Sequence, residues 1–92
     1  MKRIERKLFK IGDEIQAQQE AERLSREELI NHQHLNDDAQ RDAAESDNPM
    51  DRADARETAG DVDRFERHLQ KLQDRRRKLE AKQARLIGRL GG

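Results

Sequence analysis

Asn48-Pro49-Met50-Asp51-Arg52-Ala53 is the stretch that decides how this chain is read. It holds the sole proline. Inside a helix proline costs about 3 kcal/mol, but as the first helical residue it is well tolerated. Asn48 suits the N-cap before it, and a residue preceding proline is itself restrained away from helix. Asp51, third in the new helix, puts a carboxylate where the helix dipole favours one. The reading is helix, sharp turn, helix: a first helix over about 3–46, a turn at about 46–49 and a second helix over about 49–89, in one domain spanning 1–92.

Hydrophobic spacing supports this on both sides of the turn. Val62, Phe65, Leu69, Leu72, Arg76, Leu79, Gln83, Leu86 and Leu90 follow alternating steps of three and four, and all but Arg76 and Gln83 are apolar. Such spacing is a coiled-coil seam. The same steps before the turn give Ile4, Leu8, Ile11, Ile15, Gln18, Glu22, Ser25, Leu29, His32, Asn36, Ala39 and Ala43. This seam starts apolar, turns polar in its middle and narrows to alanine near the turn. A reversal centred on Asp47 sets Ile4 opposite Leu90, Leu8 opposite Leu86, Ile15 opposite Leu79 and Gln18 opposite Arg76. It sets Glu22 opposite Leu72, Leu29 opposite Phe65, His32 opposite Val62 and Ala39 opposite Ala55. Sliding by one heptad would stack Gln18 on Gln83 but strand Ile4 and Leu8. The expected fold is all-α, an antiparallel two-helix coiled-coil hairpin.

Composition agrees with a long helical chain and excludes an ordinary globular core. Charged residues make up 43% and aromatics 2%, the latter being Phe9 and Phe65 alone. So thin a core predicts marginal stability, which a homodimer in the form of a four-helix bundle would repair through the off-seam Leu24, Ile30, Leu35 and Ile87. Without cysteine there is no disulfide framework and no cysteine zinc site. Met1-Lys2-Arg3-Ile4-Glu5-Arg6-Lys7 leads into a charged helix, not an apolar signal region. No run approaches the roughly 18 apolar residues that span a bilayer. A soluble, cytoplasmic protein with no membrane partner is expected.

The net charge of zero conceals a gradient. Residues 1–10 and 71–89 are strongly basic, whereas 36–61 is acidic. If the chain folds back at Pro49, the two basic segments meet. Arg75-Arg76-Arg77-Lys78 invites a phosphate-binding reading, with Arg75, Arg77, Lys78 and Lys82 as candidate docking or phosphate contacts. A contiguous run fans around a helix, however, Arg76 falls in the seam, and no aromatic stacking platform accompanies it. Direct nucleic-acid binding is therefore not expected. His32 and His34 point about 200° apart on a helix and cannot share a metal, and His34 with Asp38 makes only two ligands. No metal and no cofactor are expected. With no nucleophile beside a base and no phosphate-cradling glycine loop, the chain does not read as an enzyme.

Asp42-Ala43-Ala44 before the turn, the hexapeptide from Asn48 to Ala53, and the charged helix after it resemble the coiled-coil portion of the DksA/TraR family of bacterial RNA polymerase-binding factors. The family's tip reads Asp-x-x-Asp-x-Ala. Asp51 and Ala53 match the second acid and the alanine, and Asn48 stands where the first acid would be. The family's zinc finger has no counterpart, since the sequence lacks cysteine. The resemblance covers under half the chain, from Asp42 to about Lys82. It implies a hairpin that enters the polymerase secondary channel and regulates transcription with its tip, formed here by Asp47, Asn48, Pro49, Met50, Asp51, Arg52 and Ala53. The expectation is a non-enzymatic protein-binding factor. Its rival is a structural or adaptor coiled coil that associates through its helix faces.

Overall fold

The structure, a computed structural model, describes residues 2–91. Two helices of 43 residues each, α1 (Arg3–Glu45) and α2 (Pro49–Gly91), account for nearly all of it, and no strand occurs among the described residues. The fold is an all-α helical hairpin that reverses over residues 46–48. Charged pairs one turn apart line both helices: Arg23 with Glu20, Arg41 with Asp38, Arg67 with Asp63 and Arg77 with Asp74. Each contributes about 0.2–0.5 kcal/mol to an isolated helix.

The chain divides into two compact units. One joins the residues up to Arg23 to those from Gln70 onward; the other is Leu24–Leu69. The first unit is built on Ile11, Ile15 and Leu86, all buried, with Ile4, Leu8 and Leu79 packed against them. Ile4 and Leu8 are therefore not stranded, as a full-heptad slip would leave them. Beside this cluster sits a polar layer. Glu22 is 1% exposed, and Arg76 Nε donates to its Oε2 at 2.7 Å across the helix pair. Arg76 also donates through Nη1 to Glu80. The bond to Glu22, then the bond to Glu80, raises the guanidinium's proton affinity above its already high ordinary value.

The second unit has a smaller and more polar interior. Leu29 and Ala55 are its buried apolar residues, joined by a buried Ser25. His32 stacks on Phe65 with ring centroids 4.3 Å apart. Thr58 Oγ1 donates to Asn36 Oδ1 at 3.0 Å, and Gln40 Nε2 to the Ala55 carbonyl at 2.9 Å. Small and hydrogen-bonding side chains thus replace leucine along this part of the seam.

Every seam position of α1 from Ile4 to Ala43 is buried or half-buried. On α2 the same holds from Val62 to Leu86, and the pattern continues back through Thr58 and Ala55. Leu90, near the end of α2, is exposed. The side-chain contacts adjust the expected pairing. Arg76 meets Glu22, one seam step beyond Gln18, and His32 meets Phe65, one step beyond Val62. Asn36 and Thr58, closer to the turn, keep the pairing that a centre at Asp47 gives. Each knob fits between two seam residues of the facing helix, so a long arginine or a ring selects the farther one. Off the seam, Leu24, Ile30, Leu35 and Ile87 are exposed.

Candidate functional site

The turn is held by a dense set of local bonds. Asn48 Oδ1 accepts from the Met50 amide at 2.9 Å, and the Asn48 carbonyl accepts from the amides of Asp51 and Arg52 at 3.1 and 3.3 Å. This is the N-cap geometry, with Pro49 opening α2. The Asn48 amide in turn donates to Ser46 Oγ at 3.0 Å. α1 carries no basic residue in its last turn. Arg52 compensates from α2, its Nη1 donating to the Asp47 carbonyl at 3.3 Å, where the negative end of the α1 dipole attracts a cation.

These bonds sort the candidate tip residues by role. Asn48 and Pro49 are committed to starting α2, and the Arg52 guanidinium to tying Asp47 down. Asp47, Met50, Ala53 and Asp54 are exposed, and Asp51 is half-buried. Met50 is 71% exposed, the most open of the large apolar side chains among the described residues. From Asp42 to Glu57 the carboxylates are Asp42, Glu45, Asp47, Asp51, Asp54 and Glu57, set against Arg52 and Arg56. None of the six is in an ion pair among the described residues, whereas Asp38, Asp61 and Asp63 each hold an arginine. No group of three or more histidine or acidic side chains among the described residues is placed to hold a metal. The turn can therefore present negative charge and one apolar side chain.

The candidate docking residues separate in the first unit. Arg75, Lys78 and Lys82 line one open groove of about 610 Å³, with Glu14, Gln18 and Leu79 among its other walls. Arg77 does not line it and instead pairs with Asp74 at 3.7 Å. Arg85, which sequence reading passed over, lines the groove with them. Its signal was the spacing: 75, 78, 82 and 85 repeat the three- and four-residue steps of the seam, each one position ahead of a seam residue. No helix among the described residues is long and apolar enough to cross a membrane. Comparison with protein-family models, with curated proteins and with solved structures finds no match to this chain.

Proposed function

We propose that this protein is a non-enzymatic binding factor that presents its acidic turn to a protein partner. The DksA/TraR-like hexapeptide points to bacterial RNA polymerase, approached through its secondary channel, as that partner. One observation carries the reading: Met50 stands 71% exposed on a capped turn whose neighbouring carboxylates, Asp47, Asp51 and Asp54, are in no ion pair among the described residues. A turn fixed by its own bonds loses little freedom on docking. Methionine is an adaptable apolar anchor, and burying one yields about 1.5–3 kcal/mol. Unpaired carboxylates around it add steering toward a basic surface and specificity more than affinity. Asn48 takes the structural part here, so the contacting residues are Asp47, Met50, Asp51 and Ala53.

Binding and transcription assays with purified RNA polymerase test this. Asp51→Asn should leave the hairpin folded and polymerase binding largely intact while removing the effect on transcription. Met50→Ala should weaken binding, and Ala53→Thr should act like Asp51→Asn by obstructing close approach. An absence of salt-sensitive binding, or identical transcription with wild type and Asp51→Asn, refutes the polymerase reading.

A second reading, the self-associating adaptor, is favoured by a different observation. Leu24 and Leu35 are both exposed and lie eleven residues apart, which is three helical turns, and so share one face of α1. Sedimentation should show dimers at micromolar concentration that Leu24→Lys/Leu35→Lys converts to monomers. A monomer at every concentration removes this reading.

A further inference from the structure

The first unit carries a pattern that neither reading uses. On α2, Lys71, Arg75, Lys78, Lys82, Arg85 and Arg89 follow steps of four, three, four, three and four, each immediately before a seam residue. At 100° per residue they occupy one 80° strip of the helix, and at 1.5 Å per residue the strip is about 27 Å long. On α1, Arg3, Lys7 and Lys10 also each precede a seam residue. In an antiparallel pair, positions that precede the seam on both helices flank the same side. A recess adjoining the groove bears this out for three of them, since Lys7 and Lys10 line it together with Lys82, which also lines the groove.

Two features separate this row from an ordinary solvated face. None of the nine cations has an ion pair among the described residues, although Arg23, Arg41, Arg64, Arg67, Arg76 and Arg77 elsewhere all do. The acid at the groove is Glu14 alone among the described lining residues. The row also lacks exposed apolar partners. Leu79 and Ile11 line the groove but belong to the seam, while the exposed Ile87 and Leu90 lie about 160° and 100° around α2 from the strip and Phe9 about 130° around α1 from its own, so no exposed bulky side chain stands among the charges as insertion into a lipid surface requires.

We propose that this basic groove binds the phosphodiester backbone of duplex nucleic acid without reading its sequence. A line of unneutralised cations about 27 Å long matches a partner whose negative charges are regular and extended. Over that length a duplex presents about eight phosphates on each strand. No aromatic side chain lines the groove among the described residues, so stacked single-stranded bases find no platform there. The contiguous run Arg75 to Lys78 does not make this site: Arg76 is held by Glu22 and Arg77 by Asp74. Heptad spacing makes it.

Titration of the full-length chain with a fluorescent 20-base-pair DNA duplex from 50 to 200 mM salt tests the proposal. About five phosphate contacts should give a slope of log K against log salt near −4.5. Lys78→Gln/Lys82→Gln/Arg85→Gln should flatten that slope by about 2.7 and weaken binding at least tenfold at the lowest salt. Arg56→Gln/Arg64→Gln/Arg67→Gln removes the same charge outside the groove and should leave both nearly unchanged. Far-UV circular dichroism checks that both triple variants remain helical, and each single substitution repeats the test if a triple does not. The proposal is overturned if the duplex does not bind at 50 mM salt, or if the two charge-matched variants lose affinity equally. It is also overturned if polyglutamate or an unstructured single strand binds as tightly as the duplex.

Discussion

Leu86 and Ile87 are neighbours on one helix with opposite environments, 5% and 54% exposed. Replacing each by alanine isolates seam packing from helix propensity. Leu86→Ala deletes three carbon groups from the Ile11–Ile15–Leu86 cluster, about 0.8 kcal/mol each by transfer, or about 2.4 kcal/mol. A residual cavity adds to that, so the expected loss is about 2.5–3.5 kcal/mol, inside the range for buried leucine. At about 4–8 °C per kcal/mol for a chain this size, the melting temperature should fall by about 10–28 °C. Ile87→Ala removes a largely wet side chain and improves helix propensity, so its effect should lie within about 0.5 kcal/mol of zero. Urea melts followed at 222 nm, at several protein concentrations, measure both. Equal losses from the two variants, or a loss below about 1 kcal/mol for Leu86→Ala, would refute the packing described for this unit. A concentration-dependent loss confined to Ile87→Ala would instead reveal a partner helix on that face.

Three further outcomes are expected. Gly12→Ala should stabilise by about 0.5–1 kcal/mol in thermal melts, because Gly12 is helical and an added Cβ there meets nothing within 4 Å. Asn48→Ala should cost about 1 kcal/mol by urea denaturation while Asn48→Asp costs far less, since only the latter keeps an acceptor for the Met50 amide. Arg76→Leu should lower the melting temperature and Glu22→Leu/Arg76→Leu should restore or raise it. Removing Arg76 takes the cross-helix cation from the buried Glu22 carboxylate, whereas removing both side chains yields an apolar layer. The double variant should also relax alignment, seen as weaker intrachain cross-linking between cysteines at Leu8 and Leu86.

The helix break, the all-α fold and the inward face were legible in the sequence because each rests on a local rule. One proline after an asparagine fixes the turn, and three-four spacing fixes which residues turn inward from Ile4 to Ala43 and from Val62 to Leu86. Alignment to within a seam step was not legible, since neighbouring alignments bury the same side chains. The choice depends on how far Arg76 and Phe65 reach, and helical spacing carries no information about reach. Ala55, set opposite Ala39 by the same reckoning, is indeed buried, but the seam position at Thr58 between it and Val62 was equally faint. Alanine and threonine there serve close approach and a hydrogen bond to Asn36, not apolar area. At the turn, the capping role of Asn48 was readable from its place before Pro49. The tie from Arg52 to the Asp47 carbonyl was not, because it runs across the turn between two helices.

The charges themselves separate into two populations, and that separation is the strongest argument that both surfaces are more than by-products of solubility. A hairpin seam uses two positions in seven, which leaves most of each helix free to carry charge. Where acids and bases alternate one turn apart, as in Glu20–Arg23, Asp63–Arg67 and Asp74–Arg77, the charge supports the helix that bears it. The turn and the basic groove break that rule. Six carboxylates around Asn48 and nine cations beside the first unit's seam are in no ion pair among the described residues, although Glu14 lies one turn from Lys10 and Asp74 one turn from Lys78. Like charges crowded together oppose folding of the segment that carries them. On α2 the six cations share one face at one-turn spacing, and no acid lies within that strip. A partner of opposite sign relieves the same repulsion on binding. This is the physical basis of both proposals, a basic protein surface for the turn and a regular polyanion for the groove.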